Sequence, residues 1–131
     1  MSMFDRLLGN ASEINVEKLG SDLDDLLTAG EKPEKAFVLY RDFFVFTNRR
    51  LILVDKQGMT GKKVEYHSIP YTSISHFSVE TAGHFDRDAE MKIYIGSERH
   101  PIERQFKKGS DIIIGVQKTL AHYVLGLATQ P

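Results

Sequence analysis

The sequence predicts a mainly β domain with a helical segment at each end. Its 131 residues are enough for one domain of ordinary size. Apolar residues make up 41% of the chain and charged residues 27%, which is typical of a globular protein with a packed core. Between residues 35 and 107, short apolar runs alternate with polar turns, whereas the stretches on either side repeat their apolar residues every three or four positions. These two periodicities indicate strands in the middle and helices at the ends.

The first 34 residues are predicted to form an N-terminal helical extension. Between positions 16 and 27, leucine and valine recur at helical spacing, and acidic residues fill the positions between them. Gly30 is placed to end this helix, and Pro33 prevents its continuation. Residues 1–36 carry eight acidic and four basic side chains. We therefore expect an acidic amphipathic helix that packs either on its own sheet or across a neighbouring subunit.

Seven short strands are predicted to follow, in a domain that spans residues 35–127. Asn48 and Arg49 separate the second strand from the third, and we expect the asparagine to adopt the left-handed backbone of a tight hairpin. Arg104 would share the inward face of the last strand with apolar residues, so a bulge or a strand end is expected near it. The predicted strands are 35–40, 43–47, 50–55, 63–67, 75–80, 90–95 and 102–106.

A C-terminal amphipathic helix is predicted over residues 110–126. Ser110 is a suitable N-cap, and an apolar residue recurs every three or four positions from Ile113 onward. The chain is thus mainly β, and α+β only through its flanking helices.

Composition and motifs exclude several classes of function. The chain has no cysteine, so it has no disulfide, no thiolate metal site and no cysteine nucleophile. A net charge of −1 argues against nucleic acid as a partner. The first residues lack the apolar core of a signal peptide, which favours a cytoplasmic protein. No catalytic motif is recognisable, so we expect no enzymatic activity, no catalytic residue, no metal and no cofactor.

Two segments carry residues of the type that binds phosphate or metal. Residues 58–63 resemble a phosphate loop only faintly, because a strand rather than a helix follows them. His84, Asp86, Asp88 and Glu90 are the densest set of potential metal ligands. A glycine turn with solvated lysines and a polar hairpin are the favoured explanations of these two segments, and we predict no metal site.

Basic pairs beside the predicted turns are the candidate binding residues. Lysine and arginine at the rim of a β domain can meet phosphates or anionic headgroups. Solvated turns are the alternative explanation for the same pairs. The candidate binding residues are Arg49, Arg50, Lys62 and Lys63.

Taken together, these segments resemble the bacterial pleckstrin-homology-like domain family of small stand-alone bacterial proteins. The residues that carry the resemblance are Arg41 and Asp42, FTNRRLILVD at 46–55, QGMTGKKVEY at 57–66, SIPY at 68–71 and ETAGHFD at 80–86. The resemblance implies a seven-stranded, strongly bent β-sandwich or partly open barrel, capped by the C-terminal helix. It also implies cyclic homo-oligomers such as pentamers.

A non-enzymatic binding or scaffolding module that forms a homo-oligomeric ring is the function we predict, with its ligand unidentified. Strands between residues 43 and 54 are apolar on both faces, which is more than one small core needs. Such a surplus apolar face calls for a neighbouring subunit.

Two alternatives remain open. The first is a peripheral binder of anionic lipid or another anionic ligand through the basic turn residues. Phosphoinositide-binding members of the wider superfamily use a basic loop that is reduced here to Arg41 and Asp42, so specific headgroup recognition is not expected. The second is a module that binds a protein or peptide at a strand edge beside the terminal helix.

Overall fold

A computed structural model describes residues 12–19, 23–39, 42–57, 63–80, 88–106 and 112–129. The chain divides into two compact units, Met1–Ile69 and Pro70–Pro131. The first contains a five-stranded sheet, and the second contains a three-stranded sheet and the terminal helix. The mainly β fold class that the sequence predicts is confirmed.

The first unit is one sheet with strands in chain order. Neighbouring strands from β1 to β4 pair antiparallel, and β5 lies beside β4. All the predicted strands of this unit are present, with ends that differ from the prediction by at most three residues. The strands are β1 (Ser12–Ile14), β2 (Pro33–Val38), β3 (Asp42–Thr47), β4 (Arg50–Gln57) and β5 (Lys63–Pro70).

The N-terminal extension predicted as helical is only partly helical in its described residues. Residues 12–14 form strand β1, and a 3-10 helix at Val16–Leu19 follows it. A single helical turn begins at Leu23, whose carbonyl accepts a hydrogen bond from the amide of Leu27 at 3.2 Å. A short isolated helix is marginal in water, whereas an adjacent sheet edge and an apolar face stabilise strand and turn conformations. We call residues 12–27 the strap; its residues 20–22 lie outside the described part of the chain.

The strap covers one face of its own sheet. Leu19 and Leu23 are fully buried there, and Ile14, Val16 and Leu27 pack around them. The sheet residues in this cluster are Ala36, Val38, Phe43, Val45, Ile52 and Val54. The expectation that this apolar face requires a neighbouring subunit is therefore wrong, because the chain supplies the cover itself.

The opposite face of the first sheet is buried as well. Phe37 and Phe46 meet edge to face with ring centroids 6.1 Å apart, and Phe44 lies against Phe46 at 6.4 Å. Leu51 and Leu53 continue the same face of β4 and are also buried. The apolar character of β3 and β4 on both faces is thus explained within one chain.

The hairpin between β3 and β4 turns at Asn48 and Arg49, as predicted. The prediction that Asn48 adopts a left-handed backbone is wrong, since none of the described residues other than glycine has a positive φ. Asn48 acts through its side chain instead. Its Oδ1 accepts a hydrogen bond from the amide of Lys32 at 2.8 Å, and its Nδ2 donates to the carbonyl of Gly30 at 3.0 Å.

The second unit contains an antiparallel sheet of three strands and two helical elements. Alternation is clear in β6, where Phe77 and Val79 are half-buried and the residues between them are exposed, as predicted. The elements are a 3-10 helix at Tyr71–Ser73, β6 (Ile74–Glu80), β7 (Ala89–Ile95), β8 (Ile102–Phe106) and helix α1 (Ile112–Thr129).

Of the bulge or strand end expected near Arg104, the bulge is absent, and β8 ends two residues later at Phe106. Arg104 lies opposite Met91 in an uninterrupted register, whereas register shifts occur at Pro33/Lys35 in β2 and at Ile74/His76 in β6. Its guanidinium donates a hydrogen bond to the carbonyl of Glu103 at 2.8 Å. A long arginine stem can lie along an apolar face while its charged end reaches a polar partner, so no break in the strand is needed.

Helix α1 packs on β6, β7 and the 3-10 helix of its own unit. Val116 and Leu120 are fully buried, and the ring of Tyr123 stacks on that of Tyr71 with centroids 4.6 Å apart. The predicted N-cap, Ser110, lies outside the described residues. None of the helices in the described ranges is both long enough and apolar enough to cross a membrane.

We expect Leu23→Ala to lower the free energy of unfolding by about 2–5 kcal/mol, because it leaves a cavity between the strap and the sheet. Lys35→Ala, at an exposed position of β2, is the control. This control should lower the free energy of unfolding by less than about 1 kcal/mol. Urea unfolding followed by circular dichroism measures both values, and equal losses would contradict the assignment of the strap to the core.

Candidate functional site

The candidate basic residues do not form one cluster in the described structure. Arg49 and Arg50 lie at the turn between β3 and β4, and Arg50 reaches Ser68 near the end of β5. Lys63 is the first residue of β5, five positions from Ser68. At the rise of a β-strand this separates them by roughly 16 Å. Lys62 lies outside the described residues.

Arg50 is engaged with a buried carboxylate. Its Nε lies 2.8 Å from Oε2 of Glu31 and its Nη2 lies 2.9 Å from Oε1, so the ion pair is bidentate. Nη2 also donates to the carbonyl of Leu26 at 2.6 Å, and Nη1 donates to the hydroxyl of Ser68 at 2.8 Å. The guanidinium therefore holds together the strap, the start of β4 and the end of β5.

Thr47 completes the shell around this carboxylate. Its hydroxyl accepts hydrogen bonds from the amides of Arg49 and Arg50 at 3.0 and 2.9 Å. Its single proton has two acceptors in reach, Oε2 of Glu31 at 2.7 Å and the Arg50 carbonyl at 3.1 Å, and the closer, charged carboxylate is the stronger acceptor. A hydroxyl has one proton and two lone pairs, so these three bonds saturate it. The amide of Thr28 donates to Oε1 of the same carboxylate at 3.0 Å.

These contacts determine the ionisation of Glu31, whose side chain is only 1% exposed. Burial by itself opposes the charge, but the hydrogen bonds from Arg50, the Thr28 amide and Thr47 outweigh it, and the Arg50 charge adds to them. Together they lower the pKa of Glu31 from its ordinary 4.5 to about 2. The Glu31–Arg50 pair is accordingly ionised at neutral pH.

Arg49 differs from its neighbour because its side chain is exposed. Its Nη2 lies 3.2 Å from the position that a Cβ would occupy on Gly30, whose φ is +81°. Any other residue at position 30 would have to adopt a left-handed backbone conformation, and its Cβ would lie close to the guanidinium of Arg49. Of the two adjacent arginines, Arg49 is thus exposed to solvent, whereas Arg50 stabilises the fold through its bonds to Glu31.

Metal-ligating side chains do not gather in the described residues, where no group of three histidine or acidic residues lies close enough to hold an ion. His84 and Asp86, which belong to the densest sequence cluster, lie outside those residues. The outer face of the second sheet instead pairs His76 with Tyr94, whose rings stack with centroids 4.0 Å apart.

Large apolar side chains are exposed at three positions in the described chain. They are Leu26 in the strap, 36% exposed, and Ile114 and Leu125 in α1, 47% and 58% exposed. Their exposure was not predicted, because helical periodicity assigned Leu26 and Leu125 to the apolar faces of their segments and did not distinguish Ile114. Glu31 was missed for a different reason: its partner lies 19 positions away, and no local pattern reports such a pair.

The bonds of Glu31 predict how stability depends on pH. A folded-state pKa below the unfolded value stabilises the protein above about pH 4.5, and this contribution is lost as the pH falls toward 2. We expect Glu31→Gln to lower the free energy of unfolding at pH 7, and the difference from wild type to shrink by about 2 kcal/mol at pH 3.

Urea unfolding at several pH values measures this difference. The control is Glu65→Gln, at an exposed position of β5. The free energy of unfolding of this variant should stay near that of wild type. A Glu31→Gln deficit that is the same at pH 3 and pH 7 would contradict the lowered pKa.

Comparison with known proteins places this geometry in a family. The model of the bacterial PH domain family matches residues 2–124. The chain is 56% identical to the uncharacterised protein YjqA of Bacillus subtilis (strain 168) over 122 residues, which cover 92% of this chain and 97% of YjqA. It is 34% identical to the uncharacterised YozO of the same organism over 90 residues, covering 69% of this chain and 76% of YozO.

Two crystal structures are similar over most of their length. The pleckstrin homology domain from Shewanella amazonensis SB2B is 53% identical with a TM-score of 0.80, and the match covers 93% of this chain and 98% of that one. The DUF1696 family protein with a pleckstrin-homology domain from Shewanella loihica PV-4 is 51% identical with a TM-score of 0.75, covering 88% and 98%. The chain therefore belongs to the bacterial pleckstrin-homology domain family.

Proposed function

We propose that this protein is a non-enzymatic binding and scaffolding module that works as a homo-oligomer closed into a ring. A ring of identical subunits presents many copies of one weak site, so that modest contacts add up to useful avidity. Membership of the bacterial PH domain family supports a binding role. The observation that carries the proposal is the outward face of α1.

Ile114 and Leu125 lie on the same face of that helix. They are eleven positions apart, which is close to three turns, and about 16 Å separates them along the helix axis. Both are exposed in the single chain. Burying a fully exposed large apolar side chain contributes about 1.5–3 kcal/mol. Ile114 and Leu125 are each about half exposed, so a second copy seated on this face would gain about half of that from each.

The described cations favour this function over the anionic-ligand alternative. Arg50 already directs four hydrogen bonds to Glu31, Leu26 and Ser68, and Lys63 lies at the far end of β5. Arg49 is exposed at the opposite end of the sheet from Lys63. Binding to anionic vesicles and binding of a peptide both stay predictions that no contact described here favours.

We expect the purified protein to have a molar mass that is a multiple of 14.9 kDa at micromolar concentration. Light scattering behind size exclusion measures this mass directly. The double variant Ile114→Ser/Leu125→Ser should shift the mass toward that of one chain, because it removes the apolar contact while changing only exposed positions.

The matched control is Gln105→Ser, which shortens an exposed side chain of β8 and should leave the mass unchanged. Circular dichroism of both variants shows that they are folded. A wild-type mass near 15 kDa at all concentrations up to 100 micromolar would overturn the homo-oligomer.

A further inference from the structure

We infer that Arg104 protects the outer edge of β8 from pairing with a strand of another chain. β8 is the last strand of its sheet, in the order β6-β7-β8. An outer strand presents backbone N–H and C=O groups that can pair with a further strand, and the result is aggregation unless the edge carries a feature that opposes it. Such protection is needed whether the protein is a single chain or a ring.

Arg104 stands on an apolar face of the sheet. Residues directly opposite each other in an antiparallel pair share one face, and Arg104 lies opposite Met91, which is fully buried. Its neighbours on this face of β8 are Ile102 and Phe106. The β7 residues opposite these three are Ala89, Met91 and Ile93. One charged side chain thus interrupts a face that is otherwise apolar where β7 and β8 pair.

The charge of Arg104 lies beside the backbone of β8. Its Nη1 donates a hydrogen bond to the carbonyl of Glu103 at 2.8 Å, one position earlier in the same strand. The side chain of Arg104 is half-buried, so part of it still contacts water. A long charged side chain can lie on an apolar surface as long as its charged end reaches water or a polar partner.

A strand added at this edge would remove the remaining contact with water. Paired strands lie about 4.8 Å apart, and directly opposite side chains are close neighbours on the same face. An added strand that continued the apolar face would therefore place an apolar side chain against Arg104. Covering a charge without supplying a counter-charge costs several kcal/mol, which opposes the pairing.

The other outer strand of this sheet carries a different feature. The register of β6 with β7 shifts between Ile74 and His76. A shift of this kind interrupts the regular spacing of backbone groups and twists the strand, which makes an edge a poor template for a further strand. The register of β8 with β7 is uninterrupted, so the charge of Arg104 is the feature that opposes pairing there.

Replacement of the arginine by an apolar residue tests this role. We expect Arg104→Ile to keep the free energy of unfolding of wild type or to raise it, because isoleucine suits a half-buried position among apolar side chains. The folded variant should nevertheless form species much larger than wild type, which increase with time and protein concentration. Light scattering and thioflavin T fluorescence measure this growth. Arg104→Lys, which keeps the charge, should behave as wild type.

Two further variants separate edge protection from a general increase in hydrophobicity. Gln105→Ile adds the same side chain to the exposed face of β8 and should keep the wild-type mass, since Arg104 is still in place. Ile102→Arg/Arg104→Ile moves the charge two positions along the apolar face and should suppress the large species that Arg104→Ile forms. Circular dichroism shows that each variant is folded.

Three results would overturn the protective role of Arg104. They are a folded Arg104→Ile variant that keeps the wild-type mass, equal growth of large species by Gln105→Ile, and no suppression by the double variant. A lower free energy of unfolding in Arg104→Ile would overturn it as well, because the arginine would then be required by the fold itself.

Discussion

The buried carboxylate of Glu31 is the interaction on which the first unit of the structure depends. It is held by Arg50, by the hydroxyl of Thr47 and by the amide of Thr28, so the segment 28–31 and the β3–β4 hairpin converge on two oxygen atoms. Leaving a buried charge without its partner costs several kcal/mol, which makes any arrangement that separates these stretches unfavourable. The ion pair therefore specifies where the strap ends and where β2 begins.

This constraint explains why the strap can cover the sheet without being a regular helix. The apolar side chains of the strap contribute non-directional burial, which does not by itself select one position along the sheet. The Arg50 contacts to Glu31 and to the Leu26 carbonyl are directional, and they set the position of the last turn of the strap. Strand β1 sets the other end through its register with β2, where Ile14 lies opposite Ala36.

Local patterns predict the strands and the terminal helix well because these elements follow from periodicity. Val64 and Tyr66 alternate with exposed neighbours, and the hairpin at Asn48 shows a turn residue between two apolar runs. The strap was predicted less well, since its helical spacing of leucines also suits a strand, a 3-10 turn and one helical turn laid over a sheet. Which of these forms is chosen depends on partners far away in the chain.

Dependence on residues far away in the sequence also limits what could be predicted of the candidate site. A pair of adjacent arginines in a turn predicts two exposed cations, but one of them here is paired with an acidic residue 19 positions earlier. Exposure of Leu26, Ile114 and Leu125 likewise depends on which side of each element the rest of the fold covers. Periodicity indicates that a face is apolar and leaves open whether the face is inside.

The strap connects the stability of the fold with the surface that the first unit displays. Its last turn directs Leu23 into the core and the side chains of Asp24, Asp25 and Leu26 to the outside. The hydrogen bond from Arg50 to the Leu26 carbonyl holds the backbone of this turn in place. The ion pair that stabilises the sheet thereby also orders an exposed turn of the strap. Weakening the Glu31–Arg50 pair is therefore expected to loosen this turn as well as to lower the free energy of unfolding.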